Sequence, residues 1–213
     1  MSTEPPRAAI RGLYAIADST YLNTETFVPA VRAALAGGAR LLQYRDKTSS
    51  SAARKHLARE LHALCRDHGV PFLINDDIAL AAGVGADGVH LGRDDPEIGQ
   101  ARAVLGRRAL IGVSCYNELE RARAAQSAGA DYVAFGRFFP SRTKPQAVAA
   151  AVELLHTARA ELTIPIVAIG GITPENGKAL IRAGADALAV IEGIFGQPDI
   201  RAAAERYAKL FND

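Results

Sequence analysis

Short apolar segments alternate with amphipathic segments along almost the whole chain. The apolar segments are hydrophobic at nearly every position, which is typical of parallel strands that are covered on both faces. Between them lie windows rich in Ala, Leu, Arg and Glu, such as Ser51–His68 and Glu118–Ala128, which are predicted as helices. The predicted strands are Gly12–Ala17, Arg40–Arg45, Phe72–Asn75, Gly88–Leu91, Ala109–Val113, Tyr132–Gly136, Ile166–Gly170 and Ala187–Ile191. This alternation predicts an α/β fold, a (β/α)8 TIM barrel, with a doubly wound open sheet as the alternative.

The tripeptide Gly-Ala-Asp recurs between a helical window and a strand. It is found at Gly85–Asp87, Gly129–Asp131 and Gly184–Asp186. Glycine suits the left-handed turn that ends a helix, so each copy is interpreted as a loop that leads into a strand. These loops support the fold and carry no prediction of chemistry.

The length of the chain agrees with one barrel. It has 213 residues, and α/β barrels of about 200–250 residues form single domains. Residues 1–11, which hold an acid and two prolines, are predicted to be a flexible leader, and residues 12–213 the catalytic barrel.

Lys and Arg total 25 and Asp and Glu 23, a formal charge of +2, which gives no reason to expect a nucleic-acid partner or a membrane-surface partner. Only Cys65 and Cys115 are present, and they are expected to be reduced thiols of a cytoplasmic protein.

Polar residues gather where the predicted strands end. Barrel enzymes build their active sites from the carboxyl ends of their strands. The polar residues at these positions are Gln43-Tyr44-Arg45-Asp46-Lys47, Asn75-Asp76-Asp77, Asp94-Asp95 and Ser114. Because side chains alternate along a strand, Gln43 and Arg45 are predicted on one face and Tyr44 on the other. If the first face is the barrel interior, the Arg45 guanidinium points into its mouth.

Asp76 and Asp95 form a candidate cation site. Mg²⁺ is usually held by one or two carboxylates together with substrate phosphate oxygens. The alternative is that the acids in these two loops only cap the helices that follow. The cations Arg45, Lys47 and Lys144 favour the metal, because a diphosphate requires positive charge from side chains as well as from a metal.

Two further segments are candidates for anion binding. Gly170-Gly171 opens the loop after the seventh strand, where backbone N–H groups can approach a phosphate. A plain turn with Thr173 as helix cap explains the same residues equally well, and the two interpretations are compatible. The segment 138–145 has two hydroxyls and two cations, and is interpreted as an anion-binding lid or as a solvated loop. His90, inside a strand, is more consistent with a hydrogen-bonded core histidine than with a catalytic base.

The ordered set of motifs resembles thiamine phosphate synthase over about residues 12–211. The matching segments are Gln43–Lys47, Ile74–Asp76, Ala86–Asp95, Ile111–Ser114, Ser141–Pro145 and Ala168–Ile172. The resemblance implies a TIM-barrel transferase of thiamine biosynthesis that joins 4-amino-2-methyl-5-(diphosphooxymethyl)pyrimidine to thiazole (carboxy)ethyl phosphate. It would release diphosphate and form thiamine monophosphate by a dissociative, Mg²⁺-assisted substitution at the pyrimidine methylene. By family analogy the chain is also expected to form a homodimer.

The resemblance also assigns roles to single positions. It implies that the pyrimidine diphosphate is bound by Gln43, Tyr44, Arg45, Asp46, Lys47, Asn75, Ser114 and Lys144. Within that set it implies catalytic roles for Arg45, Lys47, Ser114 and Lys144. It implies that the thiazole phosphate is bound by Ser141, Arg142, Thr143, Gly171, Ile191 and Glu192. One Mg²⁺ per subunit would be held by Asp76 and Asp95.

Two positions depart from the family pattern, and two rival functions stay open. Glu192 stands where the family often has Ser, and it would repel a phosphate unless it points away. Arg137 stands where Pro or a small residue is more common, and it either adds a phosphate contact or lies on the surface. The rivals are a thiazole tautomerase and a non-catalytic barrel that binds thiazole phosphate. The Asn75-Asp76 motif disfavours the tautomerase, and the intact set of Asp76, Asp95, Arg45 and Lys144 disfavours the non-catalytic barrel.

Overall fold

Eight parallel strands form one closed barrel. The computed structural model describes residues 10–95, 97–140 and 148–212. The strands are β1 Gly12–Asp18, β2 Ala39–Arg45, β3 Phe72–Asn75, β4 Gly88–Leu91, β5 Leu110–Tyr116, β6 Tyr132–Phe135, β7 Ile166–Ile169 and β8 Ala187–Val190. They pair in chain order, and β1 pairs with both β2 and β8. This closure confirms the predicted TIM barrel and excludes the open sheet.

Helices surround the barrel and follow the strands in sequence. They are α1 Phe27–Ala36, α2 Ser51–Asp67, α3 Ile78–Val84, α4 Ile98–Leu105, α5 Leu119–Ser127, α6 Glu153–Glu161, α7 Pro174–Arg182, α8 Glu192–Phe195 and α9 Ile200–Ala208. The four-residue α8 is an extra turn between β8 and the outer helix α9. Within the described ranges, we find no helix with the length and apolar character needed to cross a membrane.

The core has two apolar layers separated by the wall of the barrel. The larger layer lies between the strands and the helices, and the smaller one fills the barrel interior. Ile10 is 1% exposed and packs in the interior layer. The packed barrel therefore includes residues before the boundary predicted at residue 12, while residues 1–9 lie outside the described part of the chain.

The three aspartates of the Gly-Ala-Asp repeat stabilise the amino-terminal ends of strands. Asp87, Asp131 and Asp186 each accept a hydrogen bond at 2.8 Å from a backbone N–H at the start of the preceding strand, in β3, β5 and β7 respectively. Each carboxylate therefore links a loop to the strand before it. The structural interpretation of the repeat is confirmed.

β5 is longer than predicted, and this changes the position of a candidate residue. The prediction ended the strand at Val113, whereas the strand continues to Tyr116. Ser114 pairs with Ala134 of β6 and thus belongs to the sheet instead of the following loop. The end of the strand was predicted too early because Ser114 and Tyr116 are polar. Side chains at the carboxyl ends of barrel strands can face the active-site mouth, so they need not be apolar.

Gly112 allows a tyrosine to pack across the barrel interior. A methyl group at Gly112 would lie 1.9 Å from Cζ of Tyr132. Overpacking a core typically costs about 1–3 kcal/mol. Both strands are fixed in the sheet and cannot move apart, so we expect Gly112→Ala to lower the free energy of unfolding by about 3 kcal/mol. Urea denaturation measures this change. Gly99→Ala, at an exposed position of α4 where an added Cβ would meet nothing within 4 Å, is the control and is expected to be neutral or slightly stabilising. Equal stability of both variants would contradict the prediction.

Candidate active site

A cavity of about 340 Å³ lies at the carboxyl ends of the strands. Its wall contains residues from the ends of β1 to β8 and from the loops that follow them. The structure thus brings together, from distant parts of the sequence, the predicted residues Gln43, Arg45, Asn75, Ser114, Gly171, Ile191 and Glu192. The cavity wall therefore holds residues from both predicted substrate sites, the pyrimidine diphosphate site and the thiazole phosphate site.

Arg45 lines the cavity and is held by a buried acid. Its Nη1 donates a hydrogen bond of 2.5 Å to Oδ2 of Asp18, whose side chain is 0% exposed. The other oxygen of Asp18 accepts from the backbone N–H of Thr20 at 2.8 Å. A guanidinium has five N–H donors, so this ion pair fixes its orientation and leaves donors for an anion. Asp18 was not predicted as a site residue, although it lies at the carboxyl end of β1, the same end of the barrel as the predicted acids.

Asp76 follows β3 and is contacted by a cation and an amide. Lys47 Nζ forms an ion pair with Asp76 Oδ2, and Asn75 Nδ2 donates to the same oxygen at 2.8 Å. The φ angle of Asp76 is +57°, in the left-handed region that Asp tolerates better than most residues. Asp77 instead caps α3, accepting a backbone N–H at 2.8 Å. The helix cap is therefore Asp77, and Asp76 is directed to Lys47 and Asn75.

Asp95 lies in the loop between β4 and α4 and is not the helix cap either. Its Oδ2 accepts from the backbone N–H of Gly92 at 2.5 Å, and the residue at the cap position is Glu97. In the described part of the chain, the hydrogen bonds of Asp76 and Asp95 are made through Oδ2. Each carboxylate therefore keeps Oδ1 as a hard oxygen ligand for a cation such as Mg²⁺.

In the described part of the chain, protein side chains alone do not form a complete metal cage. Among the described residues, no three His, Cys, Asp or Glu side chains group closely enough to hold a metal ion. Mg²⁺ that is bound mainly through substrate phosphates needs only one or two carboxylates. The donor set of Asp76 and Asp95 fits that type of site.

Tyr44 and Asp46 are not brought into the cavity wall. Tyr44 is 2% exposed and packs in the layer between strands and helices, as the alternation along β2 predicts. Its hydroxyl donates to Asp46 at 2.9 Å. Burial alone would raise the pKa of Asp46, but hydrogen bonds from the Ser49 side chain and from the backbone N–H groups of Thr48 and Ser49 lower that pKa well below its usual range. These two residues thus shape the turn after β2.

The loop after β7 packs against the segment that follows β6. Gly171 has a φ angle of +63°, and a Cβ there would lie 2.3 Å from the carbonyl oxygen of Pro140, so glycine permits this close approach. Thr173 caps α7 in a reciprocal pair with Asn176, with Pro174 at the first helical position. The cap interpretation is therefore confirmed. Phosphate binding by Gly171 stays a prediction, and Ser141, Arg142, Thr143 and Lys144 lie outside the described residues.

The two positions that depart from the family pattern both line the cavity. Arg137 follows β6, and Glu192 begins α8 directly after Ile191. The structure thus places Arg137 in the site, which excludes the alternative that it lies on the outer surface. Glu192 contributes a carboxylate to the same wall, so the lining of the cavity carries both signs of charge.

His90 is a further cavity residue, beyond those predicted for the site. It lies on β4, its Nε2 is 2.9 Å from Oγ of Ser114, and its Nδ1 is 2.9 Å from the hydroxyl of Tyr132. It is hydrogen-bonded, as predicted for a core histidine, and it also lines the cavity. The signal available in the sequence was its place in an otherwise apolar strand.

Comparisons with known proteins agree with this geometry. The family model described as thiamine monophosphate synthase matches residues 13–194. A thiamine-phosphate synthase of Nitrosococcus oceani is 55% identical over 204 residues, which cover 96% of this chain and 94% of that protein. The structure of thiamine phosphate pyrophosphorylase from Pyrococcus furiosus is 34% identical, with a TM-score of 0.88 over 97% of each chain. Orotidine 5'-phosphate decarboxylase from Pyrococcus horikoshii, 16% identical with a TM-score of 0.68 over 94% of this chain and 100% of that one, shares the fold alone. This chain belongs to the thiamine monophosphate synthase family.

Proposed function

We propose that this chain is a transferase that condenses 4-amino-2-methyl-5-(diphosphooxymethyl)pyrimidine with thiazole (carboxy)ethyl phosphate, giving thiamine monophosphate and diphosphate. The observation that carries the proposal is a single cavity with a fixed guanidinium, Arg45, at the end of β2 and the glycine loop at the end of β7. These strands are three positions apart around the barrel. Polar groups of Gln43, Asn75 and Ser114 line the same cavity. One mouth can therefore hold two phosphate-bearing substrates.

The diphosphate is proposed to bind at Arg45 and Lys47, with Lys144 added from the segment outside the described residues. When the bond from the methylene carbon to the diphosphate oxygen breaks, negative charge grows on the leaving group. Fixed cations stabilise that charge without reorganising. Asp76 and Asp95 would hold Mg²⁺, which supplies further neutralisation of the diphosphate when bound.

The pyrimidine is proposed to lie over Gln43, Asn75 and Ser114. Its electron-rich aminopyrimidine ring stabilises the methylene cation left by the departing diphosphate, and the thiazole nitrogen then donates its electron pair to form the new carbon–nitrogen bond. This sequence needs charge stabilisation and little general base. If the thiazole carries a carboxylate, loss of carbon dioxide follows ring joining. Ser141, Arg142, Thr143, Gly171, Ile191 and Glu192 are proposed to hold the thiazole phosphate.

Arg137 is expected to strengthen binding of the thiazole phosphate. A charge-assisted hydrogen bond contributes roughly 1.5–3 kcal/mol, so we expect Arg137→Ala to raise KM for this substrate by about 10-fold or more and to leave KM for the pyrimidine diphosphate nearly unchanged. Steady-state kinetics with each substrate varied in turn measures the difference. Arg66→Ala, on an arginine whose side chain is 72% exposed on α2, is the control. An unchanged thiazole KM would contradict a phosphate contact.

The experiment that tests the function mixes the purified protein with both substrates and Mg²⁺. Thiamine monophosphate is measured by chromatography and diphosphate by phosphorus NMR, and we expect equal amounts of the two. Isomerisation of the thiazole carboxylate without release of diphosphate would instead identify a thiazole tautomerase. Calorimetric binding of thiazole phosphate without turnover would identify a non-catalytic binder. Either result overturns the proposal.

A cytoplasmic location and a homodimer complete the proposal. Cys65 and Cys115 are buried free thiols, and burial raises the pKa of each to about 12. Such thiols are inert and suit a reducing compartment. The homodimer rests on family analogy, and light scattering of the purified protein tests it.

A further inference from the structure

A continuous chain of hydrogen bonds crosses the barrel interior beneath the cavity. Gln43 Nε2 donates to the hydroxyl of Tyr14 at 2.5 Å, and the hydroxyls of Tyr14 and Tyr132 are 2.9 Å apart. Tyr132 continues to His90, and His90 to Ser114, each at 2.9 Å. Both ends of the chain line the cavity, whereas Tyr14 is 1% exposed and Tyr132 is 0% exposed. The two tyrosines therefore connect two cavity residues without lining the cavity themselves.

Both tyrosines keep their protons. Burial raises the pKa of Tyr14 and of Tyr132 well above the usual range. Each hydroxyl therefore has one hydrogen to donate, and leaving it unpaired in the barrel interior would be costly. Their rings also pack edge to face, with centroids 6.0 Å apart, and His90 stacks on Tyr132 at 5.6 Å.

The donor at the Gln43 end determines which partner donates in every later hydrogen bond of the series. Because Gln43 donates to Tyr14, the Tyr14 hydrogen is directed to Tyr132. The Tyr132 hydrogen is then directed to Nδ1 of His90. A neutral imidazole that accepts at Nδ1 carries its hydrogen on Nε2, so His90 donates to Oγ of Ser114.

This direction fixes what the two ends present to the cavity. Gln43 uses its amide nitrogen within the chain, so its Oε1 is the acceptor that can face a ligand. Ser114 accepts from His90, so its own hydroxyl hydrogen is the donor that can face a ligand. The cavity then presents one hydrogen-bond acceptor and one hydrogen-bond donor to a bound ligand.

We propose that Tyr14 and Tyr132 are positioning residues that, through His90, make the site select an aminopyrimidine over its oxo analogue. The inference rests on the proposed function. An aminopyrimidine has an amino donor beside a ring-nitrogen acceptor, which complements Gln43 Oε1 and the Ser114 hydroxyl. A 4-oxopyrimidine has the reverse pattern, a carbonyl acceptor beside a ring N–H donor. It leaves buried polar groups unpaired, which is the strongest basis for rejecting an analogue.

The direction of the chain of hydrogen bonds can be measured on the protein without substrate. Long-range proton–nitrogen NMR spectra of ¹⁵N-histidine-labelled protein distinguish the two imidazole tautomers, and a His90→Gln variant identifies the signal. We expect His90 to be protonated at Nε2 and unprotonated at Nδ1. The opposite tautomer would overturn the inference. This measurement uses no substrate, so it is independent of the proposed function.

Kinetics then test selectivity with Tyr14→Phe and Tyr132→Phe, which remove one oxygen and keep each ring. Losing one oriented hydrogen bond is expected to change binding by about 10-fold. We expect each variant to raise KM for the aminopyrimidine diphosphate by about that factor and to reduce the preference over the 4-oxo analogue similarly. KM for the thiazole phosphate is expected to stay unchanged.

Val133→Ala is the matched control for these variants. Val133 is adjacent to Tyr132 on β6 but belongs to the layer between strands and helices. Its truncation therefore weakens packing and leaves the chain of hydrogen bonds intact. It is expected to lower the melting temperature and to leave the amino preference unchanged. If the tyrosine variants behave in the same way, they are only structural and the inference is overturned. If the wild-type protein makes no thiamine monophosphate, the proposed function fails, while the tautomer measurement still decides the direction of the chain.

Discussion

Replacing Asp95 with alanine is expected to lower kcat at least about 100-fold, the effect of removing a main charge-stabilising element from an active site. Asp95 and Asp76 come from adjacent loops, after β4 and β3, and neither caps the helix that follows it. Loss of one carboxylate would leave a single acid to hold Mg²⁺ against the diphosphate. The measurement is turnover with both substrates saturating over a titration of Mg²⁺, and the variant is expected to require more metal.

Two control variants separate this electrostatic effect from a change in loop structure. Asp95→Asn keeps an oxygen that can accept from Gly92 N–H but removes the negative charge, and it is expected to be nearly as slow as Asp95→Ala. Asp94→Ala alters the exposed neighbouring acid and is expected to keep normal turnover. Near-normal activity of Asp95→Asn at ordinary Mg²⁺ concentration would contradict the metal assignment.

The fold could be predicted from sequence because its determinants are local. Eight nearly continuous apolar strands, each followed by a helical window, are compatible with few architectures besides a barrel. The predicted bounds of β3 and β4 agree with those in the structure. Alternation along β2 also correctly separated Tyr44 from Gln43. The largest error was at the end of β5, where polar side chains that face the cavity resemble the start of a loop.

The contacts that position the site could not be predicted in the same way. Asp18 and Arg45 are 27 residues apart, and Tyr14 and Tyr132 are 118 residues apart. No local pattern shows which buried tyrosines meet across a barrel, because the pairing depends on closure of all eight strands. Gly112 illustrates the difficulty, since its lack of a side chain makes room for a ring that is 20 positions away in sequence.

The roles of Asp76 and Asp77 show the limit of motif reasoning at a single position. Both are acids before a helix, and the sequence offers no preference for either as the cap. The backbone decides, because the left-handed conformation of Asp76 directs its side chain to Lys47 while Asp77 accepts the helical N–H. One dihedral angle thus separates a structural acid from a candidate metal ligand.

Arg45→Gln is expected to lower kcat by about 100- to 1,000-fold, because the fixed guanidinium is proposed to stabilise charge on the departing diphosphate. The same change leaves the carboxylate of Asp18 buried without its ion-pair partner. Removing one partner of a buried ion pair typically costs about 3–5 kcal/mol. Arg45 is 21% exposed, so we expect a loss of free energy of unfolding near the lower end, about 3 kcal/mol. Single-turnover kinetics and urea denaturation measure the two effects separately.

The double variant Asp18→Asn with Arg45→Gln distinguishes the catalytic role of Arg45 from its structural role. Replacing the unpaired carboxylate with a neutral amide removes the uncompensated charge and keeps an acceptor for the backbone N–H of Thr20. We therefore expect the double variant to be more stable than Arg45→Gln and to remain as slow. Asp18→Asn alone keeps the guanidinium but weakens its anchor, and is expected to be slower than the wild type by only about 10-fold. If the double variant recovers activity together with stability, Arg45 only maintains the fold and its role on the diphosphate is excluded.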